Sequence, residues 1–187
     1  VTKHNLICHP SAGNIAVTGL LAELQPLPEH RLRLRYELTG DLMQLRMPAP
    51  QPPVAVDGLW EHTCFEAFIG VEGDASYHEF NFSPSGQWAA YSFSDYRLRN
   101  DWTVRQMPMI SVTRTDGRLL LEAVIAAADL PPNRAGKPFQ LGLTAVIESN
   151  DGSHSYWALH HPESCPNFHH RAGFISLFNA YLTHKKL

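Results

Sequence analysis

Five side chains could act together on a ligand: Trp60, His62, Glu66, Glu79 and Asn81. They combine an indole, an imidazole, two carboxylates and an amide. Carboxylates and amides hold hydroxyl groups by hydrogen bonds, and an indole offers a broad apolar face for stacking. Alternation is what brings them together. The stretch 58–97, GLWEHTCFEAFIGVEGDASYHEFNFSPSGQWAAYSFSDYR, predicts three consecutive strands joined by turns at GVEGDAS and SPSG. In the first strand Trp60, His62, Cys64 and Glu66 point one way, and Thr63, Phe65, Ala67 and Ile69 the other. In the second, Tyr77, Glu79, Asn81 and Ser83 oppose His78, Phe80 and Phe82. The phenylalanine side suits a core, and the other side reads as a binding face.

Two carboxylates on adjoining strands could also form a hydrolytic pair. Binding needs only their exposure, whereas catalysis needs a raised pKa on one of them. No residue pattern supplies a reason for the latter, so binding without turnover leads and an enzyme using Glu66 and Glu79 is the alternative. Ser83-Pro84-Ser85-Gly86 is a hairpin turn with no helix after it, not a nucleophile elbow. A second cluster, YWALHHPESCPNFHHRAGF, holds His160, His161, Cys165, His169 and His170. These could ligate zinc, but they lack the paired spacing of a closed site. The alternative is a loop whose imidazoles bond to backbone and carboxylates across the sheet edge. The stretch PNFHH also resembles one in bacterial DOMON-like proteins, which implies that His160 and His169 line a ligand pocket.

The elements that must position these groups are strands. In 31–38, RLRLRYEL, Leu32, Leu34, Tyr36 and Leu38 alternate with Arg31, Arg33, Arg35 and Glu37, as in a strand with one solvated face. Residues 14–25 are open between strand and short helix. Leu42–Met47 is expected to pair as a strand. The four prolines between Pro48 and Pro53 must be irregular, and Asp95–Trp102 reads as a polar connection. Hairpins are expected around TDG and NDG, where Asp-Gly supplies a positive φ. A last strand spans Phe174–Phe178, before a polar tail, THKKL. About ten short strands with no long helical period predict an all-β, two-sheet antiparallel sandwich of jelly-roll type, with helix only in short turns.

Composition agrees. A chain of 187 residues is most simply one domain, and it can bury roughly 70% of its unfolded surface without metal or disulfide staples. A formal charge of −3 provides no basic footprint for nucleic acid or an anionic membrane. No apolar run approaches the ~18 residues of a membrane span. Three widely spaced cysteines, Cys8, Cys64 and Cys165, favour a reducing compartment, hence a cytoplasmic location, although a mature periplasmic or secreted chain would read the same.

The runs LWEHTCFEAFI, YHEFNFSPSGQWAAYSFSDYR and ADLPPN…FQLGLTAVIESNDGSHSYWAL, in that order, resemble the DOMON-like superfamily. Within it they are most similar to family 9 carbohydrate-binding modules and their bacterial DOMON-like relatives. The resemblance covers roughly 58–160 and implies a β-sandwich that binds sugars, or haem in the cytochrome branch. It implies Trp60 and Trp157 as the indoles that clamp a sugar ring, Glu66 as a carboxylate for its hydroxyls, and Asn81 with Glu79 as further polar contacts. Core packing is the alternative for both tryptophans. Two departures from the pattern are Cys64, where the family carries an acid, and the lack of an arginine in the second strand. A haem would have to be non-covalent for want of CxxCH, with Met43, Met47, Met107 and Met109 as candidate axial ligands. No cofactor is the leading expectation, with a sugar as the partner.

Overall fold

Leu32, Leu34, Tyr36 and Leu38 are fully buried, while the arginines and Glu37 between them are partly exposed. The period of two read from 31–38 is therefore a strand with one wet face. The same logic builds the rest of the computed structural model, which describes residues 1–12 and 16–179. In chain order the strands are β1 (Thr2–Asn5), β2 (Ile7–Cys8), β3 (Val17–Pro26), β4 (Leu32–Gly40), β5 (Cys64–Val71), β6 (Tyr77–Phe82) and β7 (Trp88–Asp95). There follow β8 (Leu98–Asn100), β9 (Met109–Thr115), β10 (Arg118–Ile125), β11 (Phe139–Glu148), β12 (His154–Ala158) and β13 (Ser176–Phe178). Helix is confined to 3-10 turns of three residues each among the described residues.

One sheet has five strands in the order β1-β3-β4-β10-β9. The other runs β2-β12-β11-β5-β6-β7-β8, with β13 also paired to β11. All these strand pairs are antiparallel, and the two sheets pack face to face as expected. Leucines of β3, β4 and β10 meet Phe65, Phe80, Phe82, Leu141 and Leu143 of the larger sheet in a continuous core. Burial of that apolar surface is the main stabilising term. One polar bond crosses it: the hydroxyl of the fully buried Tyr36 donates to the backbone carbonyl of Glu66 at 2.7 Å. The TDG and NDG hairpins form, with Gly117 at φ 75° and Gly152 at φ 83°.

Several local expectations are corrected. Leu42–Met47 is not a paired strand. Asp41 accepts from the Met43 amide and starts a 3-10 turn over Leu42–Gln44, leaving one isolated bridge from Leu45 to Ser149. The connection after β7 contains the short strand β8, which adds an eighth member to the larger sheet. The strand carrying Glu66 begins at Cys64, because left-handed Gly58 turns Leu59–Glu61 into a 3-10 turn instead. The ambiguous 14–25 segment is strand from Val17, and its residues 14–15 lie outside the described residues, as does THKKL.

Candidate functional site

The outward side of β5 and β6, at the centre of the larger sheet, is as buried as their inward side, with all eight residues of β5 and all six of β6 shielded. Registry sets what lies there. Glu66 on β5 sits between Asn81 on β6 and Thr144 on β11, while Glu79 sits between Phe68 on β5 and Tyr91 on β7. Glu66, Glu79 and Asn81 therefore share a face, opposite Phe65, Phe80 and Phe82 in the core. Tyr77, Ala89, Tyr91 and Phe93 join Phe68 and Phe174 in a second, smaller apolar cluster on this outer side.

Two segments cover it. One is the 3-10 turn carrying Leu59 and Trp60. The other is the loop after β12, which brings Pro166, Phe168 and His169 over the sheet. That loop is rooted where the sheet has no side chain in the way. Arg171 Nη2 donates to the Val71 carbonyl at 3.2 Å and to Gln140 Oε1 at 3.0 Å, passing directly over Gly70. A Cβ on Gly70 would lie 1.8 Å from Arg171 Nη1, and one on Gly142 would lie 3.0 Å from the Phe174 ring. Only glycine permits so close an approach.

Between the covers lies a cavity of about 450 Å³, within the size range of small-ligand sites. Glu66 and Glu79 contribute its polar floor. Trp60, Tyr91, Phe93 and Phe168 contribute aromatic walls, Val146 and Tyr156 the side toward β11 and β12, and Arg97 and Arg99 the remaining rim. Trp60 stands edge-on to Tyr91 with centroids 5.8 Å apart, and the Arg99 guanidinium lies 3.9 Å from the Tyr91 ring centre. The Tyr91 hydroxyl donates to Asp57.

Burial controls the electrostatics. It raises the Glu66 carboxyl to about 8, helped by the nearby Glu79 charge and opposed by the Thr144 hydroxyl, which donates at 3.1 Å. Burial likewise raises Glu79 to about 7, opposed by the Asn81 amide at 2.8 Å and by Arg99 and Arg97. The pair titrates together and retains a proton at neutral pH. A protonated Glu66 becomes a donor, and the buried acceptor across the strand is Asn81 Oδ1, which has no other partner. His169 is held down to about 4 by burial and then by Arg97, so it is neutral. The Arg97 amide donates to the Tyr77 hydroxyl oxygen at 3.1 Å, and that hydroxyl is hydrogen-bonded to His169 Nδ1 at 2.7 Å. His169 Nε2 lies 3.7 Å from Glu79 Oε2. A neutral imidazole at that distance is a dipole facing the carboxyl, not an ion pair.

The residues singled out from sequence divide. Trp60, Glu66, Glu79 and His169 line the cavity, and Asn81 lies beneath it, bonded to Glu79. Trp60 does so from a turn, not from strand parity with Glu66. Trp157 does not: it pairs with the core residue Ala145, packs between the sheets and donates its indole N–H to Ser155 Oγ at 3.0 Å. The expected pair of indoles is thus a single one, and Tyr156 holds the outward place beside it. His62 is also displaced. Its Nδ1 lies 2.9 Å from Glu148, which accepts from Arg46 at 2.8 Å, and this knot ties the 46–63 segment to the end of β11. His160 is exposed and outside the cavity.

His161 bonds to the Ile7 carbonyl at 2.8 Å. Among the described residues, no three His, Cys, Asp or Glu side chains converge as metal ligands. Met43, Met107 and Met109 are exposed, Met47 packs at the edge of the core, and none lines the cavity. Tyr91, Phe93, Arg97, Arg99 and Phe168 were missed. The alternation of Tyr91 and Phe93 on β7 was the available signal for two of them.

No family model matches the chain, and no curated protein sequence does. Its fold is similar to solved structures. One is a protein of Bacteroides uniformis provisionally described as carbohydrate-binding, with a TM-score of 0.65 and 16% identity over 94% of this chain and 84% of that one. Two are structures of a carbohydrate-binding module of family 9 from Caldicellulosiruptor kristjanssonii. The complex with glucose aligns at TM-score 0.57 and 8% identity over 93% of this chain and 83% of that one. The complex with cellotriose aligns at 0.57 and 8% over 96% and 82%. At these identities the likeness is one of fold: an all-β sandwich like that of the family 9 modules.

Proposed function

We propose that this protein binds a carbohydrate in the outer cavity of its larger sheet, without turning it over and without a cofactor. The observation that carries the reading is the pairing of a carboxyl floor, Glu66 and Glu79, with the exposed edge of Trp60 and the Tyr91 ring. Sugar C–H faces stack on such rings, while hydroxyls bond to carboxyl oxygens. Solved relatives in fold hold glucose and cellotriose, which supports the same ligand class here. Calorimetric titration against a panel of mono- and oligosaccharides tests it. A Trp60→Ala variant is expected to weaken binding by about tenfold or more while remaining folded. Retention of full affinity in that variant, or binding that Glu79→Gln and Trp60→Ala both leave untouched, would overturn the reading.

A second reading is favoured by one observation. The raised carboxyls of Glu66 and Glu79 have the property that a general acid requires. Hydrolysis predicts release of reducing sugar that both Glu66→Gln and Glu79→Gln abolish. Unchanged oligosaccharide after prolonged incubation leaves binding alone.

A further inference from the structure

Two guanidinium groups face the cavity with ring contacts but no hydrogen-bond acceptor among the described residues: Arg99 over Tyr91, and Arg97 with its centre 5.7 Å from the Tyr96 ring. Neither Arg97 nor Arg99 has a carboxylate within ion-pair distance among the described residues, and neither spends a side-chain N–H on a protein acceptor there. Each brings five donors in a planar fork suited to a carboxylate. Tyr91 holds the Arg99 plane from one face, at 3.9 Å, which leaves the donor edges free for another group.

Arg97 adds an independent sign. Its φ is 55°, in the left-handed region that glycine and asparagine favour and most side chains resist. The turn between β7 and β8 needs that backbone, and glycine would supply it without strain. An arginine there costs some stability, as strained residues at ligand sites commonly do. Its amide is anchored to the Tyr77 hydroxyl, so the strained turn is pinned to the sheet beside His169. The floor offsets these two cations only in part, since Glu66 and Glu79 together keep a proton at neutral pH.

We infer that the cavity selects acidic saccharides, with the carboxylate of a uronic-acid unit held by Arg97 and Arg99 while its ring lies against Trp60 and Tyr91. This rests on the carbohydrate reading and adds the charge of the ligand. Both arginines come from the segment after β7, Arg97 from the turn into β8 and Arg99 from β8 itself.

The test compares glucuronate, galacturonate and mannuronate oligosaccharides, each beside its methyl ester, by calorimetric titration of the whole chain. Esterification removes the charge and keeps the sugar. At least one acid is expected to bind about tenfold more tightly than its ester, with the preference shrinking as salt is raised. An Arg97→Gly, Arg99→Gln double variant is expected to bring acid and ester to equal affinity. Its melting temperature should match or exceed that of the parent, because glycine relieves the turn. Arg99→Gln alone is expected to lose part of the preference, which keeps the test decisive if the double variant misfolds. Esters bound as tightly as acids, or a preference that survives both variants, would refute charge selection and leave carbohydrate binding standing. Inorganic phosphate displacing the acid at equal concentration would also refute it, by reducing the site to a bare anion hole. Failure of every acid, ester and neutral oligosaccharide to bind would remove the carbohydrate reading and this inference with it.

Discussion

The two sheets turn opposite kinds of surface outward. On the five-stranded sheet charge is matched across the strands. Glu23 meets Lys3 at 2.8 Å and Arg35 at 3.5 Å, Glu37 meets Arg35 at 3.6 Å and also Arg118, and Arg33 meets Glu122 at 3.8 Å. The cations are 33–62% exposed, and each group has a neighbour of opposite sign. On the eight-stranded sheet the carboxyls of Glu66 and Glu79 are covered and aromatic rings surround them, while the exposed Arg97 and Arg99 nearby meet no carboxylate at ion-pair distance among the described residues. Matched charge in water does little beyond keeping a surface wet. Unmatched polar groups under cover are costly in isolation, and a ligand that completes them recovers that cost.

The contrast can be broken most forcefully at the two tryptophans. Trp157→Ala opens the inter-sheet core and is expected to cost ~3–5 kcal/mol of unfolding free energy. Trp60→Ala removes a side chain that is 41% exposed and is expected to cost under ~1 kcal/mol. Chemical denaturation of both variants checks this. Equal losses would mean that the outer side is core in disguise.

The carboxyl pair supplies a smaller effect with a definite sign. From about pH 4.5, where unfolded carboxyls titrate, up to about pH 8 the folded protein keeps protons on Glu66 and Glu79 that the unfolded chain has released. The pair's contribution to stability therefore falls as pH rises through that window and levels off above it. His169, lowered to about 4, and the lowered His78 and His161 oppose that slope below about pH 6.5, because they stay neutral when folded and protonate when unfolded. Glu66→Gln should flatten the alkaline limb and raise the melting temperature at pH 8, since an amide can still accept from Thr144. A Glu66→Gln variant that follows the parental pH profile would mean that the floor carries no stored proton.

The smallest effect belongs to the matched sheet. Lys3→Ala severs a 2.8 Å ion pair yet is expected to change stability by no more than ~0.5 kcal/mol, because Lys3 is 62% exposed and Glu23 keeps Arg35. A larger loss in denaturant titrations would show that the outer mesh on that sheet is structural.

These contrasts also explain what could be read from residues alone. The sandwich was legible because β4 has one wet face and Phe65, Phe80 and Phe82 keep strict alternation. The same alternation placed Glu66, Glu79 and Asn81 together. It failed for Trp60, because nothing local marks where a strand yields to a 3-10 turn except Gly58. For Trp157, where clamp and core packing were both open, the obstacle was different. β12 is covered on both sides, so an indole facing inward and a tyrosine facing outward leave no polar contrast to tell them apart. Arg97, Arg99 and Phe168 were hidden for a third reason. They reach the cavity from a turn, an edge strand and a loop, and only tertiary packing sets those directions.

Tyr36 has a mechanical consequence for the molecule. Apolar packing holds the two sheets together without favouring any direction, so on its own it offers weak resistance to one layer sliding across the other. The hydroxyl of Tyr36, on the central strand of one layer, is fastened to the carbonyl of Glu66, on a central strand of the other, by a directional bond. Resistance to shear is therefore supplied in part at the residue whose side chain forms the cavity floor, with the 2.9 Å contact of His4 and Ser176 as a second tie between β1 and β13. The floor carboxyl is thereby framed by both layers.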